Sequence, residues 1–156
     1  MTDHTSTPAL APDDLARACA ERMWADDPAS RGLGMTMEEI GVGRATLAMQ
    51  VGDTMVNGHG MCHGGFIFTL ADSAFAFACN TYDRRTVAQH AAITFVAPAA
   101  RGDRLVAVAV ERQRRGRSGI YDVTVTTGAG VTVAEFRGHS RVIDGAILSA
   151  PTSAKT

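Results

Sequence analysis

At 156 residues the chain has the length of one ordinary domain, enough to bury a single core and short of the size at which chains usually split. Apolar residues make up 46% and charged residues 20%, the balance of a soluble globular protein rather than a disordered or fibrous one. A formal net charge of -1 gives no electrostatic reason to expect nucleic acid or an anionic membrane as the main partner, although a local basic cluster could still hold a small anionic ligand.

Cys19, Cys62 and Cys79 are a sparse, odd set, which suits free thiols in a reducing compartment and predicts a cytoplasmic protein. The opening "MTDHTSTPALAPDD" has neither a basic n-region nor an apolar h-region, so no secretory signal is expected. No apolar run approaches the roughly 20 residues needed to span a bilayer. Residues 1–12 read as a loosely ordered leader, 13–148 as a single domain, and 149–156 ("SAPTSAKT") as a flexible tail.

Taken in chain order, "DDLARACAERMWADDP" places Leu15, Ala18, Cys19 and Met23 at helical spacing, with Asp13 as the expected N-cap and Pro28 beyond the end. "GMTMEEIGVGRATLAMQVGD" alternates imperfectly around glycines and predicts two strands joined near Gly41 to Gly43. One long apolar helix then runs from about Gly64 or Phe66 to Cys79, ending at Asn80. "TVAQHAAITFVAPA", "RLVAVAVERQR", "GIYDVTVTT" and "VTVAEFRGHSRVI" are rich in β-branched and aromatic residues and predict four successive antiparallel strands, a meander. Two strands, a helix and four strands imply an α+β fold in which an antiparallel sheet curls around the helix. Phe66, Ile67, Phe68, Leu70, Ala71, Ala74, Phe75, Phe77, Ala78 and Cys79 occupy nearly the whole helix circumference, so the helix must be buried nearly all round. Six strands do not easily enclose it alone, which predicts a homodimer at least.

Thr69, Asp72, Ser73, Ala76 and Asn80 interrupt the apolar surface on one narrow face. Exposed stripes usually carry Lys, Glu or Arg, whereas this one has short side chains only. Asp72 either points to water or lines an enclosed polar pocket, and the composition favours the pocket. An enclosed carboxylate would have a raised pKa, suited to general-base or nucleophilic work. Just upstream, "GMCHGGF" exposes the backbone N–H groups of Gly64 and Gly65 at the positive end of the helix dipole, where an oxyanion could be held. A turn needing positive φ at either glycine is the competing explanation. Eight positions separate Gly64 from Asp72, roughly 12 Å of helical rise, so the two cannot flank one carbonyl within a single chain. An opposed helix from a second copy could bring them together.

"NGHGMCHGGFIFTLADSAFAFACN", with "QHAAITFVAPA", "GRSGIYDVTV" and "EFRGHSRV", resembles the hotdog-fold acyl-CoA thioesterases, in particular those of phenylacetic acid degradation. The likeness runs from about Asp14 to Val142 and rests on the joint spacing of Asn57, His63, Gly64 and Asp72. It implies a hotdog fold, dimers pairing into tetramers, and hydrolysis of phenylacetyl-CoA or ring-hydroxylated relatives with no cofactor beyond the coenzyme A of the substrate. It also implies that Asp72 is the catalytic carboxylate and that the Gly64 N–H polarises the thioester carbonyl. His63 would orient the loop or thioester, and Asn57 the attacking water or acyl group.

Further substrate contacts are expected at Gly65, Ser73, Arg117 and Ser118. Ser73 could bond substrate or water, or its own i−4 carbonyl. The arginines of "ERQRRGRSG" could protect an edge strand or meet the phosphates of coenzyme A, with Arg117 and Ser118 preferred for the second role. His59, Cys62 and His63 lack the partners of a four-ligand zinc site, so no metal is expected. A non-catalytic acyl-CoA sensor and a hotdog dehydratase are the alternative functions; an acid paired with an oxyanion turn argues against the first, and the second would want a histidine base with a separate acid, whereas "CHGG" running into the helix fits thioester polarisation better.

Overall fold

The structure is a computed structural model, and it describes residues 9–149. The outer parts of the expected leader and tail, residues 1–8 and 150–156, lie outside the described residues. Two short helices come first, α1 (Pro12–Ala25) and α2 (Pro28–Gly32), followed by the hairpin β1 (Thr36–Gly41) and β2 (Arg44–Gln50), a single 3-10 turn at Asp53–Met55, and the long helix α3 (Gly64–Cys79). The strands β3 (Thr86–Phe95), β4 (Arg104–Arg115), β5 (Ser118–Thr127) and β6 (Thr132–Val142) complete the fold.

Several local expectations need correcting. Asp13 is not the N-cap of α1: Pro12 occupies the first turn, where its missing N–H costs nothing, and Ala11 precedes it without a side-chain cap. Asp13 instead sits in that first turn, favourably placed for the helix dipole, and accepts a hydrogen bond from the Val42 N–H at 3.3 Å. Pro28 stops α1 and also starts α2, whose first turn is capped by the Asp27 carboxylate through the Ser30 N–H. The buried face of α1 is Ala16, Cys19 and Ala20, with Met23 and Trp24 packed at its margin and the Trp24 ring against Phe77.

Among the described residues the strands form one antiparallel sheet in the order β1-β2-β4-β5-β6-β3. The expected meander therefore holds only for β4, β5 and β6. β3 leaves sequence order and lies beside β6 at the far edge, Ile93 opposite Phe136. The cause is the link after β3: the segment Val96 to Asp103, with Pro98 inside it, is too long for a tight hairpin and crosses beneath the start of α3, where the Cys62 N–H donates to the Ala99 carbonyl at 2.8 Å. The real hairpins are tight, and Gly43 (φ 66°) and Gly116 (φ 60°) supply the left-handed backbone their turns require.

The sheet curls around α3, helped by bulges in β1, β3 and β4. Leu47, Met49, Leu105, Tyr121, Val123 and Val125 pack under the helix with Phe75, Phe77 and Leu70. Small residues set the helix close to the sheet: a Cβ at Gly138 would meet the Phe75 ring at 2.8 Å. Phe75 is fully buried, 5.6 Å from the Tyr121 ring and 5.9 Å from Phe136. Phe75→Ala should therefore cost about 3–5 kcal/mol, read as a fall in the urea midpoint at unchanged m-value.

One flank of α3 is not covered by its own chain. Thr69, Asp72, Ser73 and Ala76 of the expected stripe remain partly exposed, joined by Phe66, whereas Asn80, expected in the stripe, is buried. No described helix is long and apolar enough to cross a membrane.

Candidate active site

Asp72 lies at the middle of that open flank. Its carboxylate is half-buried and has no hydrogen-bond or ion-pair partner among the described residues. Burial without compensation raises its pKa above the ordinary aspartate value. Neighbouring stripe residues are committed to the protein. The Thr69 hydroxyl donates to the Gly65 carbonyl at 2.8 Å, and the amide of Asn80 joins the Ala76 and Thr86 carbonyls while accepting from the Thr86 N–H. Asn80, only 5% exposed, thus ties the end of α3 to the start of β3 rather than facing a ligand. Ser73 does not bond its own i−4 carbonyl: its hydroxyl meets the Ser30 hydroxyl at 3.0 Å, tying α2 to α3.

The turn before α3 is built from side chain to backbone bonds. Asn57 Oδ1 accepts from the N–H groups of His59 (2.9 Å) and Met61 (3.2 Å), closing the loop and leaving only its amide N–H side for a ligand. His63 is the N-cap of α3, with Nδ1 accepting from the Gly65 N–H at 2.9 Å. With Nδ1 accepting, Nε2 is the ring nitrogen that carries the proton. This uses the Gly65 N–H internally, against the expectation that it meets substrate. The Phe66 N–H goes to the His63 carbonyl at 3.0 Å. Gly64 is left as the amide of the first turn with no acceptor among the described residues, the free donor an oxyanion would need.

Neither Gly64 nor Gly65 has a positive φ, so the conformational explanation for the glycine pair fails. Gly64 is required for space instead: a Cβ there would lie 2.8 Å from the Phe95 ring. Phe95, half exposed, overhangs the free amide and forms one wall of an apolar groove of about 500 Å³ with Ile67, Val96 and Pro98. Sequence reasoning missed Phe95 because nothing local links the end of β3 to the start of α3.

Cys62, beside His63, is buried, which pushes its thiol up and keeps it protonated. Among the described residues no three His, Cys, Asp or Glu side chains gather as a metal site. The arginines of the β4–β5 turn are dispersed. Arg112 pairs with Asp122 at 2.8 Å, Arg114 stacks 3.6 Å over the Tyr82 ring, and Arg117 donates from Nε to the Val142 carbonyl at 2.9 Å. β4 is an interior strand only as far as Val110: the end that carries Arg112, Arg114 and Arg115 runs past β2 and pairs with β5 alone, so edge protection remains a role for them. Ser118, at the start of β5, borders a small polar recess with Arg84, Arg114 and Thr86.

One long central helix wrapped by a curled six-stranded antiparallel sheet is the hotdog architecture. Residues 59–134 match the family model of the thioesterase superfamily. The chain is 40% identical over 128 residues to the acyl-coenzyme A thioesterase PaaI of Escherichia coli, covering 82% of this chain and 91% of that protein. The solved structure of the E. coli PaaI protein, from the phenylacetic acid degradation operon, superposes with a TM-score of 0.86 at 38% identity, over 87% of this chain and 99% of that one. A mutant structure of the phenylacetic acid degradation protein PaaI from Thermus thermophilus gives a TM-score of 0.72 at 36% identity, covering 75% of this chain and 100% of that one. The chain belongs to the thioesterase superfamily and has its hotdog fold.

Proposed function

We propose that the protein hydrolyses acyl-CoA thioesters of the phenylacetyl type, including ring-hydroxylated relatives, to the free acid and coenzyme A, and that it does so in the cytoplasm as a dimer that pairs further into a tetramer. The observation that carries this is the free Gly64 amide beside an apolar groove, on a helix whose one uncovered acid is Asp72. The relative named as an acyl-coenzyme A thioesterase supports the substrate class.

Support for the dimer comes from β3. It is an edge strand, with Val87 (44% exposed) and Phe95 (50%) on it and Val96 (56%) just past its end, an apolar edge that would invite uncontrolled pairing if left open. A second copy, antiparallel and two-fold related, satisfies it. α3 runs against β3 in the chain: Gly64 lies under Phe95 at one end, and Asn80 bonds Thr86 at the other. A two-fold axis through the middle of β3 therefore sets two α3 helices antiparallel and slides each Gly64 toward the other chain's Asp72. Each dimer then holds two sites.

In this reading Asp72 takes a proton from water as the water oxygen bonds to the thioester carbon. The carbonyl electrons move to an oxyanion held by the Gly64 N–H of the other chain. Collapse of the adduct breaks the carbon–sulfur bond, and the leaving thiolate recovers the proton from Asp72. His63 fixes the loop that presents the amide, and the Asn57 amide N–H side directs the water or acyl group. Arg117 and Ser118 meet the nucleotide end of coenzyme A, Ser73 lines the approach, and Gly65 contributes through its bond to His63. These steps use carboxylate, amide and water alone. If Asp72 instead attacked carbon directly and water then opened the anhydride at the aspartyl carbon, a single turnover in ¹⁸O-water would label Asp72, and the label would reach the acid product only on the following cycle.

Release of thiol from a panel of aryl and alkyl CoA thioesters tests the proposal. Highest kcat/KM is expected for phenylacetyl-CoA and its hydroxylated analogues. A protein that binds these esters without releasing thiol would be a sensor, and one that hydrates an enoyl thioester would be a dehydratase; either result ends the reading.

A further inference from the structure

The outer face of the sheet carries a pair of side chains that the candidate site does not use. Along β3 and β6, Ala91 lies opposite Gly138 and Ile93 opposite Phe136, and these residues face the core, so the alternate positions face outward. His90 and His139 are one such outward pair. They stand opposite each other in the ladder, their ring centres 5.3 Å apart and their planes tilted by 59°. A bulge between Ala88 and His90 sets this register: without the extra residue Gln89, His139 would face a different neighbour. His90 is exposed and His139 half-buried.

Both rings are uncommitted. Among the described residues the only imidazole nitrogen in a hydrogen bond is Nδ1 of His63, so the nitrogens of His90 and His139 are open to an outside partner. Their spacing selects that partner. An ion ~2.0–2.1 Å from one nitrogen of each ring, with a tetrahedral angle between them, holds two imidazole centres roughly 5 Å apart. Imidazole suits zinc, nickel and copper, whereas magnesium and calcium take oxygen ligands. Of the two cations that flank His139 along β6, Arg137 is neutralised by Asp122 through bonds of 2.6 and 2.8 Å, which leaves Arg141 as the single repulsive neighbour on that strand. Two rings fall short of the ligand set of a permanent centre, since no third His, Cys, Asp or Glu joins them among the described residues. Water must fill the other positions, and the ion must exchange.

We propose that His90 and His139 of each chain together hold one divalent transition-metal ion of the zinc class. The site stands apart from the thioesterase reading and from the dimer, because edge pairing of β3 uses its backbone while these rings lie on the face of the sheet. An ion held there staples the edge strand β3 to β6, its one neighbour within the chain.

Calorimetric titration of Zn²⁺ into the metal-stripped full chain should show one ion per chain with a Kd on the order of 10 µM, far weaker than a four-ligand zinc site. His90→Ala and His139→Ala should each weaken that binding about tenfold or more, since each removes half of the protein ligands. His59→Ala, at another exposed histidine, should leave it unchanged, and Mg²⁺ should not bind. Saturating Zn²⁺ should raise the Tm of the parent by about 3 °C or more and that of the two variants by less than about 1 °C. Without metal, both variants should melt within about 1 °C of the parent, which separates a lost ligand from a damaged fold. Binding that survives in either single variant, a stoichiometry of one ion per two chains, or no uptake of Zn²⁺ up to about 1 mM would each overturn the assignment.

Discussion

Asp72→Asn should lower kcat by ~10²–10⁴-fold, the range that a positioned acid–base group contributes, while the variant folds and gains stability at neutral pH. Both halves follow from one fact: the carboxylate is half-buried, unpaired among the described residues, and desolvated enough that its pKa rises. A raised carboxylate pKa means that the folded chain binds the proton more tightly than the unfolded chain does. Stability attributable to residue 72 is therefore intact below the unfolded aspartate pKa, falls as pH rises through that value, and reaches its lowest level above the raised folded pKa. Asparagine has the same shape and does not titrate. The Tm difference between variant and parent should be near zero at acid pH, grow through the carboxylate range and level off near neutrality. In the parent, kcat/KM should rise over that upper part of the range, as the base ionises. A variant that keeps its turnover to within a few-fold, or a Tm gap that does not change with pH, would remove Asp72 from the chemistry.

The same residue shows what a sequence can express. Asp72 stood out because a helix apolar on every other side cannot spare a charged group without reason, and α3 with its open flank follows directly from that pattern. The β1–β2 hairpin was equally legible, because Gly43 punctuates it. What stayed hidden was long-range. Nothing within "TVAQHAAITF" states that its partner is β6 rather than β4, since period-two patterning encodes faces and not neighbours. Asp27 and Pro28 carry the start signal of α2, yet they read equally well as the end of α1, and so the Ser30–Ser73 bond was out of reach. For Gly64 the sequence suggested an exposed amide, with conformational freedom as the competing explanation, and the fold adds a demand that neither contained, the absence of a side chain beneath Phe95. That demand exists only once β3, paired with β6, has brought Phe95 at its end over the start of α3.

Mixing two inactive variants should restore activity. In Asp72→Asn the base is lost but the amide is intact; in Gly64→Val the base is intact, but the added side chain must displace the Phe95 ring, because even a Cβ there would lie 2.8 Å from it, and this shifts the free amide. If each site joins Asp72 of one chain to Gly64 of the other, a heterodimer of the two variants has one site carrying both lesions and one carrying none. Random exchange makes half the dimers mixed, so an equimolar sample should recover about a quarter of the parent activity in a two-fold symmetric assembly. Circular dichroism and size-exclusion chromatography of each variant alone guard against a fold lost at Gly64. Helical rise is what makes the result informative: roughly 12 Å along α3 separates the two groups within a chain, several times the reach of a nucleophile and oxyanion donor around one carbon. Were both groups to act from the same chain, every heterodimer site would carry one lesion and mixing would restore nothing. Absence of recovery, with exchange verified by differently tagged chains, would leave the open flank of α3 without the function argued for it.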